Sequence, residues 1–541
     1  MKFSELLLLL PLLVSPALAR APTISSARLQ TRFSQYVGAL ATFLLKKQSI
    51  PVLLADLGPA AIKVGQSLAA RPDLVGLDLA RQLQQLQDAV PASLSAEEVR
   101  ACLAREGFDR EIDLSTLSLE PVAAASLGQV HSALLLTSRE RVAIKVQRPG
   151  IQEAVACDFF FARLVLQAIQ PFIKTKAMAA LDELQQRLVE EMDYHNEKEN
   201  LLLFQSLYDS SHGVGKYAKS LPAPGVGTPR LFPHLCSDTV LTMSWVDGIK
   251  LVRYDELPKE DLVRITRLGL QCSLSQLLET GVVHADPHGG NLMVDRESGK
   301  LVYIDFGLVS FVPRGVRVAL LCAVLHLVER DVCGLAGELE HLLLLPADEL
   351  QRTRDQVEAA LARVVDQILD FGGTGVASRG EGEETTRLPT LKFDQIVGAL
   401  VPVAALFPFQ APPYFLNNVR AIGTLEGMAM SADPAFNLFG VLYPFMVRRA
   451  FAELDEPRVL ALFKKLVLCP YTGAVRWAKA KRLIRDTGVH PAVLLRSLIG
   501  TKGGRRLLVD LMLRPINRLV LSILLKFRKF AHFVLSLAVF V

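Results

Sequence analysis

The chain is poor in the residues that build disulfide scaffolds and metal centres. Its 541 residues include seven cysteines, and no two of them have the CxxC spacing of a zinc or thiol-exchange site. This pattern predicts reduced, mostly packed thiols rather than a disulfide framework. With 21% charged residues the composition also argues against a polytopic membrane protein, although half of the residues are hydrophobic.

The chain also lacks the overall excess of charge that would attract nucleic acid. The formal net charge is +5, and from residue 501 onward eight Lys or Arg residues accompany the single acid Asp510. The rest of the chain is therefore close to neutral. Because the basic balance belongs to one terminal region, we expect no nucleic-acid partner.

The C-terminal region combines this charge with two apolar runs, Leu519–Leu525 and Phe530–Val541. Neither run reaches the roughly 20 residues needed to cross a bilayer. The pattern favours a helix that lies on an anionic membrane surface. The alternative is a helix whose apolar face packs on the protein itself.

The N-terminal region has the features of a targeting leader. Lys2 precedes an apolar run, Leu6–Val14, and small residues follow at 17–19. Beyond them several Arg, Ser and Thr residues occur, but no acid appears before Asp56. Together these features predict a bipartite signal for a plastid reached through the secretory route. A plain signal peptide or an N-terminal anchor is the alternative, and mitochondrial or other membrane-associated locations stay open.

At this length we expect a bilobal catalytic unit with appended helical segments. Residues 37–104 have helical spacing, and Leu181–Phe204 is predicted to form one long charged helix. A polar Gly- and Glu-rich surface loop is expected over 372–387. Four short strands are predicted, of which the first two form a hairpin: Val130–Leu136, Val142–Val146, Thr239–Trp245 and Leu301–Ile304.

Four side chains follow one another in the order that phosphoryl transfer by a kinase requires. Lys145 ends a Val-Ala-Ile-Lys strand and would neutralise nucleotide phosphates. Asp286 lies five residues before Asn291. On this one loop, Asp286 would supply the carboxylate at the position of the catalytic base, and Asn291 would supply a metal-binding amide. Asp305 begins Asp-Phe-Gly after a short strand and supplies the second metal ligand. The sequence therefore predicts a site for ATP and Mg²⁺.

A metal hydrolase built on His284 and His288 beside the acids is the alternative for this loop. No further His or Cys has ligand spacing, so the nucleotide site is favoured.

Three further motifs resemble the UbiB/ADCK-type atypical kinases. Residues 63–66 match the KxGQ motif of that family's N-terminal extension, and residues 123–131 match its alanine-rich loop. Residues 191–194 match its ExD motif. Glu197 falls where the family places the glutamate that pairs with the strand lysine. The resemblance covers about 62–437.

The resemblance implies an α+β, bilobal protein-kinase-like fold with a small β-containing N-lobe and a helical C-lobe. A helical extension would precede the lobes and a helical tail would follow them. The implied segments are a leader at 1–36, the extension at 37–120, the N-lobe at 121–248, the C-lobe at 249–450 and a basic, apolar region at 451–541.

The site residues implied by the motifs fall into four groups. Asp286 is the catalytic carboxylate, and Asn291 and Asp305 are the metal ligands. The nucleotide contacts are Ala123, Ala124, Ala125, Ser126, Gly128, Gln129, Val130, Lys145, Glu197, Met243 and Trp245. The regulatory residues are Lys63, Gly65, Gln66, Glu191 and Asp193.

The alanine-rich loop replaces glycines that bring backbone N–H groups close to phosphates. Alanines at 123–125 restrict that backbone and predict an altered nucleotide pose; the alternative is a simple small-residue helix start. Lys63 is expected to reach Glu191 or Asp193 and to block the place of a peptide substrate. On one continuous helix, Asp193 and Glu197 would share a face.

Two positions depart from the family pattern. Gly289 stands where proline is common and is expected to loosen the catalytic loop, which would lower metal affinity. Ser244 stands where an acidic residue is usual in the hinge, and little consequence is expected because adenine contacts there are mainly with backbone.

Three functions are consistent with these motifs. The first is a Mg-ATP-dependent ATPase or small-molecule kinase that supports metabolism of plastoquinone, tocopherol, ubiquinone or related prenyl lipids. The second is a nucleotide-gated pseudokinase scaffold that binds such lipids for other enzymes. The third, an ordinary protein kinase, is disfavoured by the alanine-rich loop. Expected partners are prenyl lipids or quinones, a membrane surface, prenyl-lipid biosynthetic enzymes and further copies of the chain.

Overall fold

The structure is a computed structural model that describes residues 26–513 with internal gaps. The predicted leader, the 372–387 loop and the C-terminal apolar runs lie wholly or mostly outside the described residues. The gaps are residues 47, 70–75, 84–85, 87–93, 125–126, 170–176, 209–224, 371–389, 392–397, 400–402, 404–405, 410–411, 470–474 and 487–490.

The chain divides into two compact units. The first comprises Met1–Glu256 and His284–Val309, and the second comprises Leu257–Val283 and Ser310–Val541. The predicted nucleotide-site residues all belong to the first unit.

An antiparallel sheet is the framework of the first unit. Its strands are β1 (Ile112–Asp113), β2 (Ala123–Ala124), β3 (Gly128–Leu135), β4 (Arg141–Gln147) and β6 (Val240–Ser244). They lie in the order β1-β3-β4-β6, and β2 pairs with β3. The predicted β3–β4 hairpin and the later strand β6 are confirmed. Because β2 is a strand, the alternative of a helix start at the alanines is wrong.

The first unit also contains a second sheet, which has four strands. Its order is β5-β10-β9-β7, with β5 and β10 parallel and the other neighbours antiparallel. The strands are β5 (Val226–Gly227), β7 (Gly248–Lys250), β9 (Leu292–Asp295) and β10 (Leu301–Tyr303).

The part of the first unit that the structure describes also contains eight α-helices. They are α1 (Ser26–Lys46), α2 (Ile50–Leu57), α3 (Pro59–Ala69), α4 (Leu77–Leu83), α5 (Ala96–Arg105), α6 (Ile151–Ile169), α7 (Ala177–Glu191) and α8 (Tyr194–Tyr208). The prediction of one continuous helix over Leu181–Phe204 is wrong, since α7 ends before Asp193. The Asp193 carboxylate accepts a hydrogen bond from the backbone N–H of Asn196 at 3.0 Å and so caps a new helix.

The two faces of β4 have different roles because side chains alternate along a strand. Val142, Ile144 and Val146 are buried in a core that they share with Val99 and Leu103 of α5. Lys145 and Gln147 therefore point to the opposite face, where α8 lies. A separate core of α6 and α7 side chains packs beside this face.

The second unit is helical. Its helices are α9 (Lys259–Ser275), α10 (Arg314–Val328), α11 (Val332–His341), α12 (Ala347–Ile368), α13 (Pro413–Ala432), α14 (Phe439–Ala452), α15 (Pro457–Val467), α16 (Trp477–Asp486), α17 (Pro491–Gly500) and α18 (Lys502–Leu513). Strands β12 (Leu369–Asp370) and β13 (Thr390–Leu391) pair in antiparallel fashion. The remaining strands, β8 (Val282–His284) and β11 (Val309–Phe311), run across the points where the chain passes between units. Among the described residues, no helix is both long and apolar enough to cross a membrane.

Candidate nucleotide site

A buried ion pair between Lys145 and Glu197 is the centre of the site. The Lys145 ammonium lies 2.8 Å from both carboxylate oxygens of Glu197 and 3.5 Å from the carboxylate of Asp305. Glu197 is only 1% exposed. The structure thus brings together the strand lysine and the helix glutamate, as the motifs imply, and holds the lysine between two carboxylates.

The electrostatic balance of this pair depends on both partners. Burial acts to lower the pKa of Lys145, but the nearby carboxylates of Asp305 and Glu197 raise it well above its ordinary value. Burial raises the pKa of Glu197 to about 7, although Lys145 acts in the opposite direction. The ammonium is therefore permanent, while the glutamate depends on that ammonium for its charge.

Helix α8 connects the ion pair to the Asp-Phe-Gly segment. The Phe306 backbone N–H donates to the Glu197 carboxylate at 3.4 Å, and the Asn200 amide donates to the Phe306 carbonyl at 3.0 Å. The Phe306 ring lies 5.2 Å from the Phe204 ring and 5.6 Å from the His284 ring. These contacts hold Asp305 at a defined position relative to Glu197.

Asp305 is the carboxylate best suited to bind a metal ion. Its side chain is 39% exposed, and it accepts the Gly307 backbone N–H at 3.0 Å. Burial acts to raise the pKa of Asp305, but the Lys145 ammonium and the Gly307 N–H hold it well below its ordinary value. The group is therefore ionised throughout the physiological pH range.

The loop that follows β8 places Asp286 and Asn291 beside each other. The Asn291 side-chain nitrogen donates to the Asp286 carbonyl at 3.1 Å, so the amide oxygen is the atom left for a metal. His284 is buried and hydrogen-bonded to the backbone of Asp305, and burial lowers its pKa. It therefore acts as a neutral structural side chain rather than as a metal ligand.

Gly289 packs tightly rather than loosening this loop. Its carbonyl accepts the Val252 backbone N–H at 2.8 Å. A Cβ atom on Gly289 would lie 2.8 Å from that same nitrogen and 3.0 Å from the carbonyl carbon of Leu251. The close approach of two backbone segments accounts for glycine here, so the expected looseness has no counterpart in the structure.

The extension reaches the site through Lys63. Its ammonium lies 2.5 Å from the Glu191 carboxylate, which settles the choice left open between Glu191 and Asp193. Burial acts to lower the pKa of Lys63, but Glu191 and Asp286 raise it above its ordinary value. Asp193 is exposed and caps α8 instead.

The other two residues of the KxGQ motif hold the extension together. The Gln66 amide donates to the Leu86 carbonyl at 2.8 Å. A Cβ atom on Gly65 would lie 2.5 Å from a Leu86 methyl group and 2.8 Å from a Leu54 methyl group. These two residues therefore position α3 and, through it, Lys63.

The alanine-rich loop divides between the two faces of the sheet. Ala123 and Ala124 form β2, and Ala125 and Ser126 lie outside the described residues. Gly128 and Val130 of β3 are paired with Gln147 and Lys145, so they share the face of the ion pair.

Gln129 points to the opposite face from the ion pair. There its side chain bonds the Leu94 backbone N–H at 2.6 Å and the Leu94 carbonyl at 3.2 Å. The structure therefore places Gln129 in the core rather than beside a nucleotide.

The hinge strand is partly committed to the sheet. Met243 is buried and paired with Ala143, and the Trp245 backbone N–H donates to the Arg141 carbonyl at 3.0 Å. The Arg141 guanidinium lies 3.8 Å from the centre of the Trp245 indole. An adenine base would therefore have to use other backbone groups of this segment than the Trp245 N–H.

Sequence reasoning missed two residues on the face of the ion pair. The Gln147 amide donates to the Met192 carbonyl at 2.7 Å and so ties β4 to the turn between α7 and α8. Tyr194, the first residue of α8, packs beside Gly128 and Lys145. The sequence signal that could have identified Tyr194 is its position directly after the Glu191-x-Asp193 motif.

The donor set suits a magnesium–nucleotide complex. Within the residues that the structure describes, no three His, Cys, Asp or Glu side chains form a metal-binding cluster. Mg²⁺ in phosphoryl-transfer sites typically takes one or two protein oxygens and completes its shell with phosphates and water. Asn291 and Asp305 match that demand.

Comparison with known proteins identifies the family. The ABC1 atypical kinase-like domain matches residues 85–338. Protein ACTIVITY OF BC1 COMPLEX KINASE 3, chloroplastic, from Arabidopsis thaliana is 35% identical over 454 residues, which cover 82% of this chain and 58% of that protein. The Synechocystis sp. protein slr1919 is 30% identical, with 81% of this chain and 72% of its own length covered.

A third relative is a chloroplastic aarF domain-containing protein kinase of Arabidopsis thaliana, 31% identical over 85% of this chain. The chain spans about three fifths of the length of these two Arabidopsis relatives. Among solved structures, the Rv3197–erythromycin complex from Mycobacterium tuberculosis is 21% identical, covers 75% of this chain and 98% of its own, and has a TM-score of 0.40.

The domain match and the relatives confirm the α+β, kinase-like fold class predicted from the motifs. The chain belongs to the ABC1 atypical kinase-like family, which is the UbiB/ADCK family.

Proposed function

We propose that the protein binds Mg-ATP and transfers the terminal phosphoryl group to water or a small-molecule acceptor. The observation that carries this proposal is the assembled Lys145–Glu197 pair with Asp305 only 3.5 Å from the lysine. A kinase site is competent when the strand lysine, its helix glutamate and the metal-binding aspartate are in place together.

Each group has a defined task in this proposal. Lys145 neutralises phosphate oxygens, and Glu197 holds its ammonium in place. Asn291 and Asp305 hold magnesium, which neutralises charge that develops on the phosphates. Asp286 accepts the proton of the attacking hydroxyl or water. Its loop is held through the Asn291 amide and the short contact from His284 to Asp305.

Lys63 restricts what can serve as the acceptor. Its ammonium is bound to Glu191 and lies in the field of Asp286, the carboxylate that an acceptor must approach. A folded peptide substrate would have to displace this ion pair, whereas water or a small hydroxyl compound would not. The proposal therefore excludes proteins as the main substrates.

We further propose a plastid location and a role in prenyl-lipid or quinone metabolism at a membrane. Support comes from the chloroplastic Arabidopsis relatives and from the leader and basic, apolar tail in the sequence. Prenyl-lipid biosynthetic enzymes would be its partners. Imaging of the full chain fused to a fluorescent protein tests the location, and a signal outside plastids would overturn it.

Turnover of Mg-ATP by the purified full chain is the decisive test. It should be measured with and without phosphatidylglycerol vesicles that contain plastoquinone. Asp305→Asn should abolish turnover, because the metal loses its carboxylate ligand. Asp238→Asn, a change at an exposed carboxylate before β6, is the control and should leave turnover unchanged. Turnover that survives in Asp305→Asn would refute the proposal that this site catalyses phosphoryl transfer.

A nucleotide-gated scaffold is the second candidate, and the Lys63–Glu191 pair favours it. A lysine held among the carboxylates of the site could couple nucleotide binding to the position of the extension. Binding of Mg-ATP without turnover, in the wild type and with vesicles present, would select this function.

A further inference from the structure

Tyr194 carries a buried hydroxyl that the site as described does not use. The residue is 2% exposed and begins α8. Within the residues that the structure describes, which leave out 125 and 126, the hydroxyl has no hydrogen-bond partner. A buried hydroxyl without a partner carries a desolvation cost that phenylalanine would avoid. A bound ligand would supply that partner.

The hydroxyl lies on the face of the sheet that carries the strand lysine. Gly128 pairs with Gln147 and Val130 pairs with Lys145, so these positions share one face. A Cβ atom on Gly128 would lie 2.6 Å from the Tyr194 hydroxyl oxygen. The Lys145 ammonium lies 5.3 Å from the centre of the Tyr194 ring. The Tyr194 hydroxyl thus lies beside Gly128 at the start of β3, on the face that carries the lysine.

The hydroxyl is also held in the form that donates a hydrogen bond. Burial raises the pKa of Tyr194; Lys145 acts to lower it, and the carboxylates of Glu197 and Asp305 act to raise it. A neutral phenol next to an ammonium is a donor that can contact an anion without adding charge.

We propose that the Tyr194 hydroxyl donates a hydrogen bond to a phosphate oxygen of the bound nucleotide, beside Gly128 and Lys145. This inference rests on the proposed nucleotide function and deepens it. Ordinary glycine-rich loops bring backbone N–H groups to the phosphates. Here alanines replace those glycines in the sequence, and the tyrosine supplies a donor beside Gly128. Tyr194 is thus a positioning residue for the phosphates.

Tyr194→Phe tests the proposal because it removes only the hydroxyl. Calorimetric titration of the full chain with adenosine, ADP and ATP, each with Mg²⁺, separates contacts to the base from contacts to phosphates. A hydrogen bond to a charged group corresponds to about a 10- to 100-fold change in Kd. We expect that loss for ADP and ATP and no change for adenosine. Equal affinities of wild type and variant for ADP and ATP would overturn the proposal, as would an equal loss for all three ligands.

Tyr208→Phe is the matched control, since Tyr208 is buried at the other end of the same helix. It should leave the three affinities unchanged. A wild type that binds ATP no better than adenosine would refute the proposed function itself, whereas equal ATP binding by wild type and Tyr194→Phe refutes only the role of the hydroxyl.

A measurement on the unaltered protein complements the variants. The chain has nine tyrosines, and labelling them with ¹³C at the phenolic carbon reports on each hydroxyl by NMR. One buried tyrosine signal should shift on addition of ADP and not on addition of adenosine. Absence of a shift specific to ADP would contradict the proposal.

Discussion

Replacement of Arg32 by methionine should loosen helix α1 from helix α6. The Arg32 guanidinium bonds both carboxylate oxygens of Asp158, at 3.1 Å and 2.9 Å. The two side chains are 18% and 7% exposed. The Tyr36 hydroxyl bonds the same carboxylate, and its ring packs on Phe161. Methionine keeps much of the arginine's apolar volume but leaves the buried carboxylate without its cation.

The size of the effect follows from the burial of the pair. Breaking a buried ion pair by removing one partner costs about 3–5 kcal/mol, because an uncompensated charge remains. Burial raises the pKa of Asp158 to about 6, against Arg32, which lowers it. Below that pH the carboxyl is protonated, and the loss should shrink to about 1 kcal/mol, typical of an ordinary hydrogen bond.

The sign of the pH dependence in the wild type is fixed by the same shift. A pKa above the ordinary value of 3.8 means that the folded state favours the protonated carboxyl. This contribution, about 3 kcal/mol, is present below pH 4 and is lost as the pH rises through about 6. Asp158→Asn has no such group, so its stability should not show this step.

Amide hydrogen exchange of α1 is the suitable assay, because it reports local opening rather than unfolding of the whole chain. The opening free energy of α1 should fall in Arg32→Met by about 3–5 kcal/mol at pH 7.5 and far less at pH 5. Asp158→Asn should lack the wild-type step, so its loss relative to the wild type should be about 1.4 kcal/mol smaller at pH 7.5 than at pH 5. An equal loss for Arg32→Met at both pH values would refute the reasoning.

Three further changes test the site and the extension. Lys63→Met removes an ammonium from among the carboxylates that attract magnesium, so the Mg²⁺ concentration needed for ATP binding should fall on the order of tenfold in calorimetric titrations. An unchanged Mg²⁺ requirement, or the same gain in the exposed control Lys259→Met, would contradict this. Glu197→Gln should lower turnover at least about 100-fold, because Lys145 loses the partner that holds it within 2.8 Å; near-normal turnover in a steady-state assay would show that the pair is dispensable. Gly65→Ala should overpack the contacts of α3 and lower its opening free energy, measured by hydrogen exchange, by about 1–3 kcal/mol. Gly38→Ala is the control: nothing lies within 4 Å of the added Cβ atom, so α1 should be stabilised by about 0.5–1 kcal/mol. Similar effects of the two changes would rule out the steric explanation.

Local patterns predicted the elements that depend on neighbouring residues. The β3–β4 hairpin follows from two alternating runs around a polar turn, and its register places Lys145 opposite Val130. The error at Leu181–Phe204 has a local cause as well. Helical spacing continues across Asp193, but its short side chain competes for the backbone and begins a new helix.

Contacts between distant segments could not be predicted in the same way. The partner of Lys63 was ambiguous because Glu191 and Asp193 are two residues apart, and only the break between α7 and α8 turns one inward and the other to solvent. Gln129 belongs to the alanine-rich motif of residues 123–131. Because side chains alternate along β3, its side chain points into the core beside Leu94 and away from the ion pair. The close packing of Gly289 on the 251–252 backbone has no signal in the sequence around it.

The chemical groups of the candidate nucleotide site and their order could be predicted from the sequence alone, because Lys145, Asp286, Asn291 and Asp305 lie in short motifs with the order typical of kinases. The tertiary structure decided which of these groups meet, how deeply they are buried and which additional side chain joins them. Glu197 lies 52 residues from Lys145 along the chain but 2.8 Å away in space. Tyr194 became a candidate only when its hydroxyl was found buried beside Gly128. Burial and long-range contacts are properties of the folded chain, and no local pattern encodes them.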